Sequence, residues 1–598
     1  MFSLTSMFLP FSFPVVTSLA VAALGYYIVF KSYFLESYRY PSKDIDVPIP
    51  KECESDWQED NFISEPSISS KEDPRKITCY DPATGRILGY KSAASPSEVN
   101  LAAKKAYDAQ RQWSKTTFAE RRQVLRTICE FVIKNQTDLC KVAARDSGKT
   151  VLDAMLGEVL TTIAKLRWTI ENGEQALKPS RRSTGFLMMY KLAMVLYQPR
   201  GVVGAIVSWN YPFHNSIGPV ISAIFAGNGI VVKTSENVAF SSSYFLKAIR
   251  AALEAHGHSG DLVQFVTGYA ETGSALVECP LISHITFIGS APVGRKIMET
   301  ASKNLTPVTL ELGGKDVAII MDDADMSQCY SVIMRSVFQN AGQNCIGIER
   351  VLVHEKLYDS FVSEMESRIE NLRLGSGLEQ GNGVDMGAMV MAQSFKFIQS
   401  LIKDAVDKGA RLLAGGKPYN NPKYPKGHYF MPTLLADVTP DMEITRNEVF
   451  GPVMVIMKIT SAADAVRVAN SSPFGLGSSV FTSEPSTGRQ IALALKCGMV
   501  NNNDFGVNYL CQSLPFGGVG ISGYGRFAGI EGLRSMCVEK SYTEDLFRSV
   551  KTKIPPVVDY PIKDISNAID FTSSINTFAY GSSLVERVKA VFTLAKNA

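Results

Sequence analysis

At 598 residues the chain is too long for one hydrophobic core, so two or more domains are expected. Its 45% hydrophobic and 20% charged residues are ordinary for a globular protein, and a net charge of +3 over this length argues against nucleic acid as a main partner. The ten cysteines show no C-x-x-C pair or disulfide spacing, and the six histidines do not join them at metal-ligand spacing, so a reducing compartment and no metal site are expected.

Residues 1–30 carry no charged side chain, and the run from Met7 to Phe30 is almost wholly apolar before Lys31 closes it. That is about the ~20 residues a spanning helix needs. Pro10 and Pro14 sit at its start, where proline is tolerated, and Tyr26, Tyr27 and Phe30 suit a membrane–water boundary. The competing reading is a cleaved signal peptide, for which Ala20, Ala22 and Ala23 would supply the small residues, but no basic residue precedes the apolar run. We expect residues 1–31 to be a transmembrane anchor. Lys31, Arg39 and Lys43 on its C-terminal side then point the large domain to the cytosol, in a single-pass protein of the endoplasmic reticulum. Residues 32–75, whose stretch 40–75 is rich in Pro, Ser, Asp, Glu and Lys, read as a linker that lets the domain stand off the membrane.

From Ile77 onward short apolar strands alternate with amphipathic helices, the α/β pattern. Helices are expected over 97–113, 118–135 and 241–256, and buried strands over 201–207, 230–233, 263–267 and 284–288. Parallel strands joined by helices place ligands at the strands' carboxyl ends. Two such ends carry suggestive residues, Lys233 with Glu236, and the run Gly289-Ser290-Ala291-Pro292-Val293-Gly294. In the second, proline just inside a helix start leaves backbone N–H groups free for a phosphate. Each also has a plainer reading, a solvated ion pair and an ordinary helix cap.

Three further runs carry chemistry: Trp209-Asn210-Tyr211-Pro212-Phe213, Glu311-Leu312-Gly313-Gly314-Lys315, and Phe338-Gln339-Asn340-Ala341-Gly342-Gln343-Asn344-Cys345. A thiol nucleophile, a carboxylate base and an amide donor are the parts that attack on a carbonyl carbon requires. Alone, each is weak, because most cysteines are core residues, a glutamate before Leu-Gly-Gly suits a strand end, and Trp-Asn-Tyr-Pro suits a tight turn.

Together, and with Val232-Lys233-Thr234-Ser235-Glu236, Phe287-Ile288-Gly289-Ser290, Glu448-Val449-Phe450-Gly451-Pro452 and Pro515-Phe516-Gly517-Gly518, these runs make the chain resemble the aldehyde dehydrogenase superfamily from about residue 77 to about 544. The hydrophobic N-terminus and long C-terminal tail look more like its membrane-anchored branch. The resemblance implies an α/β fold with a Rossmann-type parallel-sheet cofactor domain (76–312, interrupted by an oligomerisation arm at 183–199), an α/β catalytic domain (313–535), an oligomerisation strand (536–548) and a C-terminal extension (549–598). The segments 187–198 and 536–545 resemble the arms that pair subunits, so a homodimer is expected.

The same resemblance implies NAD-dependent oxidation of an aldehyde to a carboxylic acid. Cys345 would be the nucleophile, Glu311 the base and Asn210 the oxyanion donor. Lys233 and Glu236 would hold the adenosine ribose, and Glu236 would favour NAD over NADP because a carboxylate accepts from a diol and repels a 2′-phosphate. Gly289, Ser290, Val293, Gly294, Ser208, Trp209, Glu448 and Phe450 would complete the cofactor site, while Lys315 and Arg350 would serve structure. Two alternatives stay open, a coenzyme A-acylating dehydrogenase, which would generally lack a base such as Glu311, and a catalytically silent membrane-tethered scaffold. Gln339 puts an amide where many members have an aromatic, against a purely apolar tunnel for an apolar or lipid-derived aldehyde. In the tail, Pro555 and Pro556 interrupt any helix, and 584–596 suits an amphipathic helix packed on the protein or lying on a membrane.

Overall fold

The computed structural model describes residues 41–597 apart from 55–56, 71, 380–382 and 548. The anchor expected over residues 1–31 lies outside the described residues. Among the described residues no helix is long and apolar enough to cross a membrane.

Two sheets organise the larger compact unit, which comprises the described residues up to 176 and those in 199–537. The first is fully parallel, in the order Val263–Thr267, Gly229–Thr234, Val202–Ile206, Ile282–Ile288, Val308–Glu311. Every residue of Val202–Ile206 and Gly229–Thr234 is buried, as strands covered on both faces require. Ala239–Ala255 is among the covering helices. The four strands expected from the sequence are present with small shifts at their ends. A fifth, Val308–Glu311, delivers Glu311 at its carboxyl end.

The second sheet has seven strands, in the order Arg411–Ala414, Thr433–Ala436, Val453–Ile459, Ile348–His354, Asp316–Ile320, Gly477–Phe481, Met499–Asn502. Only the first of these runs antiparallel to its neighbour. The boundary expected at 312/313 falls between the two sheets but separates no independent bodies. The Leu310 and Leu312 amides donate to the Tyr524 and Ser522 carbonyls, so the strand that ends on Glu311 is stitched to a segment following the second sheet.

The helices start where side chains satisfy their free amides. Pro96–Trp113 and Phe118–Lys134 both open with capping boxes, Ser95 with Glu98 and Thr117 with Glu120. Residues 41–70 differ from the expected free linker. Lys43 donates its amide to Thr127 and Lys134 pairs with Asp44. The Ile63 amide reaches the Gly85 carbonyl, the Thr78 amide reaches the Ile68 carbonyl, and Cys53 and Ile63 are buried. Polar composition hid these few apolar anchors.

The smaller unit joins residues 177–198 to 538–598. Its three-stranded sheet has the order Cys537–Asp545, Lys191–Pro199, Ser180–Arg182. The arm expected from residue 187 enters the strand only at Lys191, after a turn. The tail folds into two helices, Ile565–Tyr580 and Leu584–Asn597. The second was expected and the first was not. Its run of Ser, Thr, Asn and β-branched residues has modest helix propensity, and Ala568 and Phe571 anchor it by burial.

Candidate active site

Cys345 and Glu311 face each other on the wall of a cavity of about 250 Å³. Glu311 is buried, and its Oε1 has no hydrogen-bond partner. Burial pushes its carboxyl up to about 7, and the facing Cys345 thiol draws it back only in part. The thiol is held well above its ordinary range, first by burial and then by the Glu311 charge. The thiol is the weaker acid of the two, so the proton between them rests on Cys345, while the carboxyl gains and loses its own proton near neutral pH, which suits Glu311 to general-base work.

Cys345 is positioned by a tight left-handed turn. Asn340, Ala341 and Gly342 have φ of 57°, 53° and 71°, a run that stores strain and needs local support. Asn340 Nδ2 donates to the carbonyls of Asn210 and Gln343 at 3.0 Å each, Gln343 Nε2 returns a bond to the Asn340 carbonyl, and Gln343 Oε1 accepts from the Val390 amide. A Cβ on Gly342 would lie 2.1 Å from the Gly451 carbonyl oxygen, so only glycine fits there.

Asn210 is buried, and its amide has a defined orientation. Oδ1 accepts from Ser208 Oγ at 2.6 Å and from Asn215 Nδ2 at 3.1 Å, which turns Nδ2 toward the nucleophile loop, where it donates to the Gln343 carbonyl at 3.3 Å. Ser208, expected at the cofactor, donates its hydroxyl to Asn210. Sequence reading missed two supports here. Lys149, wholly buried, donates to the Asn210 carbonyl at 2.6 Å and to Glu158 at 2.8 Å. Glu158 in turn accepts from the Phe213 and His214 amides at the start of the helix Pro212–Phe225. No motif marks this pair, because it acts from under the site.

The expected cofactor residues fall into two groups. Lys233 Nζ donates to Glu236 at 2.8 Å beyond the end of the strand Gly229–Thr234. Gly289 and Ser290 lead into the helix Ala291–Ser302, with Val293 and Gly294 in its first turn. Ser290 makes no side-chain cap bond, so the first amides stay open. An open helix start after one strand and a Lys–Glu pair after another, both at the carboxyl ends of one parallel sheet, suit a dinucleotide. The second group lies by the reacting pair. Glu448 Oε1 accepts from the Gly314 amide at 3.0 Å, and a Cβ on Gly313 would lie 2.3 Å from it. Burial first, and the Glu349 charge second, push the Glu448 carboxyl up to about 8. Lys315 pairs with Glu349 at 2.6 Å, and Glu349 accepts from the Val449 and Phe450 amides, which pins this turn. Trp209 and Phe450 meet edge to face, ring centroids 5.5 Å apart. Arg350 binds the carbonyls of Lys315, Val468 and Ala469, a structural role as expected.

The cavity wall is mainly apolar and includes Leu156, Leu160, Phe505, Leu510 and Phe527. His214 also borders it, with Nδ1 to Thr162 Oγ1 at 2.9 Å and Nε2 to the Tyr509 hydroxyl. Burial holds its imidazole down to about 3, so it is neutral.

The aldehyde dehydrogenase family model matches residues 68–542. The chain is 45% identical over 570 residues to an aldehyde dehydrogenase-like protein of Saccharomyces cerevisiae, covering 94% of this chain and 88% of that one. It is also 45% identical to an aldehyde dehydrogenase-like protein of Schizosaccharomyces pombe, covering 87% and 99%. Among solved structures, the NAD+ complex of an aldehyde dehydrogenase from Bacillus cereus superposes with a TM-score of 0.74 at 29% identity, covering 84% of this chain and 100% of that one. With a thiol facing a buried carboxyl, and matches that span most of its length, the chain belongs to the aldehyde dehydrogenase family.

Proposed function

We propose that the protein oxidises an apolar or lipid-derived aldehyde to its carboxylic acid with NAD as hydride acceptor, without passing the acyl group to coenzyme A. The observation that carries this reading is the facing of Cys345 and Glu311 at a largely apolar cavity. Glu311 takes the Cys345 proton, and the thiolate attacks the aldehyde carbon. The Asn210 amide and the Cys345 backbone N–H stabilise the oxyanion, each such donor contributing ~3 kcal/mol to barrier lowering. The resulting thiohemiacetal loses hydride and becomes a thioester on Cys345. Bound NAD would supply the hydride acceptor, and Lys233, Glu236, the Ala291–Ser302 helix start and Glu448 would hold it. Glu311 releases that first proton to solvent and then takes one from water, whose oxygen adds to the thioester carbon; the adduct expels the Cys345 thiolate, which regains a proton from Glu311, and the acid leaves.

The same reading places the chain at a membrane through residues 1–31, with the catalytic body in the cytosol at the endoplasmic reticulum. Support comes from the uncharged segment followed by basic residues. It pairs two copies through the three-stranded sheet, whose strand Lys191–Pro199 keeps most of its residues half-buried within one copy. The test is NADH formation on aldehydes of increasing chain length, with and without coenzyme A. We expect kcat/KM to rise with chain length and to ignore coenzyme A. Absence of NADH formation on every aldehyde would overturn the reading.

A further inference from the structure

Most polar groups bordering the cavity are already engaged. Both His214 nitrogens and the Tyr509 hydroxyl are joined in one chain with Thr162. Arg335 pairs with Asp153 at 3.1 Å, Asn215 Nδ2 donates to Ser208 and Asn210, and Thr161 Oγ1 donates to the Gly157 carbonyl. Gln339 is different. It borders the cavity and is partly exposed there, and it follows directly on the helix Met326–Phe338, six residues before Cys345.

On the same cavity wall is Tyr211, whose hydroxyl is buried without a hydrogen-bond partner and lies within the influence of the Gln339 side chain. The Tyr211 ring cannot swing away. The Lys149 ammonium sits 4.4 Å from its centroid, and the ring occupies the space where a Cβ on Gly157 would lie, 2.2 Å from that position. A fixed phenol therefore sits behind a partly exposed amide. An amide bordering an apolar cavity loses water when a hydrocarbon chain enters and gains a partner when that chain carries oxygen.

We propose that Gln339, oriented by Tyr211, is a specificity-determining group that selects aldehydes bearing a hydroxyl or carbonyl oxygen on an otherwise apolar chain. Tyr211 is a positioning residue in this scheme, acting through Gln339. The inference rests on the aldehyde-oxidising activity proposed above and narrows its substrate class.

The experiment compares pairs of alkanals of equal length, one carrying a hydroxyl or oxo group at successive positions and one without it. The readout is the ratio of kcat/KM for the two members of each pair. In the wild-type protein one oxygen position should give a ratio above one. Gln339→Met keeps the volume and removes the amide, and should lower that ratio about tenfold, with the loss falling on the oxygen-bearing member of the pair. Tyr211→Phe should lower it part of the way, and the double variant should fall no further than Gln339→Met. A ratio unchanged in Gln339→Met, or equal losses on both members of a pair, would overturn the subsite while leaving aldehyde oxidation standing. Failure of the wild-type protein to oxidise either member would overturn the activity itself, and the subsite with it.

Discussion

Glu311→Gln separates two consequences of burying this carboxyl. In the folded protein burial raises it from 4.5 to about 7, with Oε1 unpartnered. Between those pH values the folded state keeps a proton that the unfolded state has lost. Stability therefore falls as the pH rises through this window, by about 3 kcal/mol in total, and the cost is fully present above it. Glutamine removes the charge and the cost, so the variant should melt higher than wild type above neutral pH, with the difference vanishing toward acid. Activity should move the other way. Wild-type turnover should rise with pH through about 7 as the carboxyl becomes a base. In the variant, steady-state turnover should fall by about 10² to 10⁴ and lose that inflection. The first turnover of NADH should fall less than the steady state, because the Cys345 proton loses its acceptor while hydride loss itself precedes hydrolysis. The Cys345 thiol, raised by the Glu311 charge as well as by burial, also becomes easier to ionise. Stopped-flow and steady-state NADH formation across pH, paired with melting curves, check both arms. Wild-type turnover with an unchanged pH profile in Glu311→Gln would refute the base assignment.

Cys345→Ser should reduce aldehyde oxidation on the order of 10⁴-fold or more while NAD titrated by fluorescence still binds, since an alcohol is a far weaker nucleophile at neutral pH. Glu236→Ser removes the partner of Lys233 and the charge opposing a 2′-phosphate. The kcat/KM ratio for NADP over NAD should rise, and an unchanged ratio counts against the assigned role. Gly342→Ala, with φ of 71° and a Cβ 2.1 Å from the Gly451 carbonyl oxygen, should lower both melting temperature and kcat, since Cys345 follows three residues later. For topology, Asn135-Gln136-Thr137, Asn304-Leu305-Thr306 and Asn470-Ser471-Ser472 are potential glycosylation acceptors. All three should stay bare in cells, and alkaline carbonate should leave the protein in the membrane pellet. Glycosidase-sensitive mass at these asparagines would reverse the orientation.

The runs that carry Glu311, Asn210 and Cys345, the proposed reacting triad, stood out in the chain because each has its own backbone demand: glycines after Glu311, Pro212 after Asn210, and Gly342 before Cys345. The parallel strands of the first sheet were legible for a similar local reason, since a strand buried on both faces is a continuous apolar run. Capping residues marked the helix starts at Pro96 and Phe118. What surrounds the triad was not legible. The cavity draws its wall from residues 156–161, 211–215, 335–346 and 505–527, and nothing local ties these stretches together before the two sheets pack. Lys149 and Glu158 look like ordinary surface residues in sequence, and only the fold buries them together beneath Asn210. The orientation of Asn210, and so the use of Ser208, depends on Asn215 one helical turn away. Residues 41–70 gain their order from backbone partners at Gly85 and Thr78 and a side-chain partner at Thr127. Sequence periodicity reports which face of an element is apolar, so it determined the elements and the reactive groups. Tertiary packing decides what each polar atom meets once water is removed, and that decided the proton affinities, the placing of Tyr211 and Gln339 on one wall, and the shape of the cavity.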